Sequence, residues 1–131
     1  MSKPTQKDAE LMIRLATLNR SPVMMESWKW YVGLEEQSYE DFIKENPVGS
    51  DGWMHFSLIA GFYELLGALV KYGTINEELV LDCYALAWDK LGPIVKGARK
   101  DSENPRLYEN YEYLEKKNIE WRKEHPPLFK Q

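Results

Sequence analysis

The stretch Trp53-Met54-His55-Phe56-Ser57-Leu58-Ile59-Ala60-Gly61-Phe62-Tyr63-Glu64-Leu65-Leu66-Gly67-Ala68-Leu69-Val70-Lys71-Tyr72 decides the fold of this chain. Its apolar residues cover nearly the whole circumference of a helix, the pattern of a helix buried on most sides. Mid-way along it stands Glu64, with Ala60 and Gly67 flanking it on the same face. A carboxylate in that position must be paired, neutral, or facing a cavity or an interface. The segment, about residues 53–72, is therefore expected to be the buried central helix of an all-α bundle.

Downstream, Gly73 supplies a left-handed C-cap, and Asn76 caps the next helix with Ile75 and Val80 placed as a hydrophobic staple. Leu79, Val80, Cys83, Tyr84, Leu86, Ala87, Trp88 and Leu91 then lie against the polar Glu78, Asp82 and Asp89. This predicts one long helix, kinked at Gly92-Pro93. Asn104-Pro105 opens a final helix carrying Leu107, Tyr111, Leu114 and Trp121, and Pro126-Pro127 stops it. Upstream, residues 46–52 form the most turn-rich segment, preceded by a short helix that Ser38 and Asp41 start. Ser21-Pro22 opens a helix with Met24, Met25, Trp28, Tyr31 and Val32. Thr5 and Asp8 cap a first helix that ends near Asn19. The expectation is a single helical domain over 1–131, with about five helices and with residues 1–4 and 126–131 frayed.

A chain of 131 residues with 44% hydrophobic and 29% charged residues has ordinary globular composition and is long enough to hold a core unaided. A net charge of −4 gives no broad basic face, so nucleic acid is not an expected partner. The first ten residues contain no apolar stretch of a secretory signal. The run Leu58–Val70, interrupted by Glu64, falls short of a bilayer span. These features predict a cytoplasmic location and no membrane role. Cys83 is the single cysteine, which forbids an intrachain disulfide and reads as a small hydrophobe.

Motifs for known chemistries are thin. His55 and His125 are the two histidines, and Gly52 and Arg122 stand where a Glu-x-x-His pair would place its carboxylates, so neither a metal nor another cofactor is expected. Gly49-Ser50-Asp51-Gly52 is a turn rather than a nucleophile elbow. Residues 71–80 have a helix-turn-helix outline, but Glu77 and Glu78 would face phosphates. Lys96, Arg99, Lys100 and Arg106 form a candidate anion patch, although cations in a last helical turn also complement the helix dipole. Five tryptophans and eight tyrosines could line a pocket for a flat ligand, but more commonly serve a core. Glu64, Arg99 and Tyr84 form a candidate ligand or buried polar site, in which Glu64 pairs with Arg99, Lys71 or a tyrosine hydroxyl, or anchors a ligand. Met24, Met25, Trp28, Trp30 and Tyr31 are too many large apolar groups for one side of a helix, which makes them a candidate interface for a homodimer.

The run from Phe62 to Asn76, followed by Trp88, Leu91, Gly92, Pro93, Ile94 and Arg99, resembles a family of small prokaryotic helical proteins, domain of unknown function 4760. The resemblance covers roughly residues 10 to 122 and includes Ser21-Pro22, Tyr111 and Leu114. It implies a helical fold, and because that family has no assigned activity it transfers no catalytic residue. Some of its members carry a membrane anchor ahead of the domain; none is expected here, and with it no membrane role. The function expected is a helical domain that acts through protein contacts, self-association included. The alternative is a small-molecule binder or enzyme with a pocket around Glu64, and a nucleic-acid regulator is disfavoured by charge.

Overall fold

The computed structural model describes residues 3–129 and contains seven helices and no strand among them. They are α1 (Gln6–Asn19), α2 (Pro22–Val32), α3 (Tyr39–Glu45), α4 (Asp51–Lys71), α5 (Glu77–Cys83), α6 (Trp88–Asp101) and α7 (Glu109–Glu124). Fraying expected at residues 1, 2, 130 and 131 lies outside the described residues. Leu128 and Phe129, past the end of α7, are exposed.

Helix starts follow local side-chain chemistry. Thr5 and Asp8 form a capping box: the Asp8 amide donates to Thr5 Oγ1 at 3.2 Å and the Thr5 amide to Asp8 Oδ2 at 2.7 Å. The second Asp8 oxygen accepts the Asn76 amide at 2.9 Å, so one carboxylate joins the starts of α1 and α5. Ser21, Ser38, Ser50 and Asn76 each accept the amide three residues on. At the end of α4, Gly73 has φ 69 and donates to the Val70 carbonyl, while Thr74 donates to that of Leu69; the six-residue closure is a Schellman motif.

The long helix expected after Asn76 is two helices; with the short helix that Ser38 starts counted as α3, the described residues hold seven helices and not about five. The break falls at residues 84–87, where the helix is expected to run on, and α6 continues through Gly92-Pro93. Pro93 sits exposed inside α6, where it withholds the main-chain donor that the Asp89 carbonyl would otherwise meet. What holds the break open is long-range: Tyr63 of α4 donates its hydroxyl to the Ala85 carbonyl at 2.6 Å, and Tyr111 of α7 donates to that of Leu86. Burial pushes both phenols well above their ordinary pKa, keeping them as donors. The final helix also starts later than expected, at Glu109 instead of beside Pro105.

The end of α6 repeats the closure of α4 with a different residue. Glu103 donates to the Lys100 carbonyl and Asn104 to that of Arg99, with Glu103 left-handed at φ 55. A glutamate holds this conformation at a steric cost that glycine lacks. Glu103→Gly is expected to stabilise the fold by about 0.5–1 kcal/mol, and an unchanged or lower denaturant midpoint would contradict that reading.

The core is one cluster in which α4 packs most extensively against α7 and then α2, while α3 packs on α6. Phe56, Ile59, Ala60 and Leu66 of α4 are fully buried with Phe42, Leu91, Ile94, Tyr111 and Leu114. Over its whole 21 residues α4 is long and apolar enough to cross a bilayer, a reading that the shorter run Leu58–Val70 does not suggest. The core accounts for the apolarity of one side only. Along the other side Met54 (51% exposed), Leu65 (43%) and Tyr72 (75%) lie open, with Leu58, Gly61 and Ala68 half-buried between them. The helix expected to be buried on most sides thus keeps one open stripe.

Candidate functional site

Glu64 sits where α7 begins. Tyr108, the residue ahead of α7, is left-handed at φ 55, and its side chain caps nothing. The first amides of any helix lack intrahelical partners, and here α4 supplies them. Glu64 Oε1 accepts the amides of Asn110 at 2.9 Å and Tyr111 at 3.0 Å, while Oε2 accepts Asn110 Nδ2 at 2.9 Å. The negative carboxylate also meets the positive end of the α7 dipole. One turn along α4, Gly67 admits the incoming backbone: a Cβ there would lie 2.1 Å from the Asn110 carbonyl oxygen. A further turn on, Lys71 Nζ donates to Asn110 Oδ1 at 3.3 Å. Ala60, Glu64, Gly67 and Lys71 form a seat for the N-terminus of α7.

Arg99 does not meet Glu64 in this seat, contrary to the pairing expected of it. Both reach the first turn of α7, but at different groups. Arg99 Nη1 lies 2.8 Å from Glu112 Oε1, and Nε donates to the Leu107 carbonyl at 3.0 Å, so Arg99 fastens the segment ahead of α7 to its first turn. The guanidinium holds the Glu112 carboxyl below its ordinary pKa. Arg99 Nη2 is buried without a hydrogen-bond partner among the described residues. Tyr84 lies elsewhere, in the α5–α6 linker, edge-on to Phe62 with ring centroids 5.8 Å apart. It lines a shallow groove beside Met12, Ile13 and Arg20. Cys83 borders the same groove and is exposed, not the buried small hydrophobe that its apolar surroundings in sequence imply.

The remaining sequence candidates separate in the same way. Lys96, Arg99 and Lys100 do line one groove, with Glu103 and Pro105, but Arg106 turns to Glu109, its Nη2 2.9 Å from the carboxylate. Of the five candidate interface residues on α2, Met24 is buried and Trp28, Trp30 and Tyr31 pack on the core. Met25, 47% exposed, is the one of these five that faces out; Val23 and Val32, outside that set, are exposed as well. Trp28, Trp30 and Tyr31 find partners on α1, α3, α4 and α6. Trp28 meets Tyr63 edge-on and donates its Nε1 to Asn19 Oδ1; Trp30 stacks on His55; Lys90 lies over Tyr31.

Sequence reasoning missed a buried polar pair, Ser27 and His55. Ser27 is fully buried, its hydroxyl 2.9 Å from His55 Nδ1 and 3.3 Å from the Val23 carbonyl. The resemblance to a serine–histidine couple ends with burial, because a hydroxyl sealed between α2 and α4 admits no substrate. The pair crosses 28 positions, and no local pattern in either helix announces it. On the outer turn of α7, burial first and Asp89 next raise the Glu115 carboxyl above its ordinary pKa, with Arg122 and Asn118 pulling partly the other way. No group of three or more histidine, cysteine, aspartate or glutamate side chains among the described residues is arranged to hold a metal ion.

With this geometry in place, comparison with known proteins gives one match. A family model described as Domain of unknown function (DUF4760) matches residues 4–121. The chain belongs to this family. The matched span runs from just ahead of the Thr5 cap to Trp121 and takes in all of α1 to α6 and most of α7, so the Glu64 seat lies inside the DUF4760 domain. No curated protein and no solved structure matches the chain.

Proposed function

We propose that this DUF4760 domain works by protein contact through the open stripe of α4. The observation that carries the reading is the stripe itself, Met54, Leu58, Gly61, Leu65, Ala68 and Tyr72, which runs the length of the central helix without a charged residue. An apolar stripe this continuous on the outside of a fold marks an interaction surface far more often than isolated exposed side chains do. The engagement of Glu64 supports the same reading. Both of its oxygens are used in seating α7, which argues for structure over ligand chemistry at the position where a binding pocket was the alternative.

Met54 and Met25 are exposed to similar extents, 51% and 47%, on different helices, and so form an internal control. Thioether oxidation follows access. In mild peroxide treatment of intact cells, Met54 is expected to be oxidised at least about fivefold more slowly than Met25, while in dilute purified protein the two react at similar rates. Equal rates in cells would sink the proposal.

A further inference from the structure

The open stripe of α4 has a geometry that selects its occupant. We infer that it is the interface of a homodimer in which α4 packs antiparallel against α4 of a second copy, an inference that rests on the contact reading above and names the partner. The stripe residues recur at spacings of four, three, four, three and four, the a and d rhythm of a two-helix seam, over about 27 Å of helix. Turned antiparallel about a twofold axis near residue 63, the stripe is complementary to itself. Leu65 of one copy comes opposite Gly61 of the other, Leu58 opposite Ala68, and Met54 opposite Tyr72. At the two inner pairs a large side chain faces a small one, and a Cβ built on Gly61 has nothing within 4 Å in the monomer, which leaves space for the Leu65 knob. Parallel pairing would instead set Gly61 against Gly61 and Leu65 against Leu65, a gap beside a clash.

Charge agrees with the antiparallel sense. The stripe is uncharged, but α4 begins with Asp51 and ends with Lys71, so reversal brings the acidic end of each helix to the basic end of the other and opposes their dipoles. A single helix-pair seam lies at the small end of stable protein interfaces, which places the affinity in the micromolar range.

Sedimentation equilibrium of the full chain from about 1 to 500 µM is expected to show a reversible dimer. Leu65→Glu should raise the dimer Kd about 100-fold or more, because it puts a charge in the seam. Gly61→Leu should weaken the dimer likewise, although it adds apolar surface, because it fills the space that receives Leu65. Thermal melts of dilute samples, where Leu65→Glu should keep the parent transition and Gly61→Leu should match or exceed it, show that the fold is intact. The direction of packing is read in a Cys83→Ser background. A mixture of Leu58→Cys and Ala68→Cys chains should cross-link on mild oxidation, whereas neither should cross-link alone, since only opposed positions bring Cβ atoms within about 4.5 Å.

A monomer at 500 µM would overturn the inference. So would a dimer indifferent to Leu65→Glu, or Leu58→Cys chains that cross-link to themselves. Loss of the dimer on truncation after His125 would assign the face to the apolar tail instead, and monomers that sediment with phosphatidylcholine vesicles unless Leu65→Glu is present would assign it to lipid; either result overturns the pairing. Met54 protected in cells but reactive in concentrated purified protein would overturn the pairing while leaving the contact reading standing.

Discussion

Gly67→Ala is expected to destabilise the protein by about 2–4 kcal/mol, although alanine is the better helix former by about 1 kcal/mol. The new Cβ would lie 2.1 Å from the Asn110 carbonyl oxygen and 2.6 Å from its carbonyl carbon. Those are backbone atoms in the first turn of α7, so no side chain can rotate away. The helix has to retreat by more than an ångström, and in doing so it stretches the three hydrogen bonds that Glu64 makes to Asn110 and Tyr111. Gly61→Ala is the matched control. It lies on the same helix with open space around its Cβ, and should stabilise the monomer by up to about 1 kcal/mol. Denaturant melts on samples dilute enough to be monomeric measure both. Two shifts of the same sign would show that α7 is not seated against Gly67.

Glu64→Ala should cost about 2–3 kcal/mol, since it strips partners from two main-chain amides and one side-chain amide in a part-buried site. Glu64→Gln should cost about 1 kcal/mol: it keeps an acceptor for the amides but loses the charge that faces the helix dipole. It also turns an amide donor toward Asn110 Nδ2. The loss should be local as well as global. In Glu64→Ala the amides of Asn110 and Tyr111 should exchange hydrogen fastest within α7, by about tenfold or more over the parent. An Ala variant as stable as the parent, with those amides still protected, would mean that the carboxylate does not cap α7.

How much of this was legible in the sequence depended on range. Thr5 with Asp8, Ser21, Ser38, Gly73 and Asn76 act on amides and carbonyls three to five residues away, and each stands in the structure as its local pattern implies. The all-α class followed from those signals and from apolar spacing. The two boundaries misplaced in the sequence reading are those set from afar. The break at residues 84–87 contains neither glycine nor proline, and depends on hydroxyls donated by Tyr63 and Tyr111. The start of α7 moved past Asn104-Pro105 because its cap comes from α4.

Glu64 was visible as an anomaly, a charge on an apolar helix, but its partner was not, because two of the three groups it meets are main-chain amides, which all residues but proline carry. Arg99 was the natural guess on charge, and the fold gave it Glu112. The open stripe of α4 was hidden for the opposite reason. An apolar residue that faces solvent and one that faces the core look alike in sequence, so a helix apolar nearly all round read as a helix buried on most sides, with nothing to mark which side stays open.

The borrowed cap on α7 has a kinetic meaning. A helix that starts from a left-handed tyrosine with no side chain to hold its first amides has a poor nucleus of its own. Its nucleus is completed by a carboxylate 46 positions earlier, so α7 gains its first turn only when the intervening loop has closed and α4 is present as a template. Most helical bundles owe their speed to contacts that are near in sequence, and this one places a non-local closure at the beginning of its last helix. Docking of residues 108–111 onto Glu64 and Gly67 is then expected to limit folding, so that in stopped-flow measurements substitutions at those two positions should slow refolding more than they hasten unfolding.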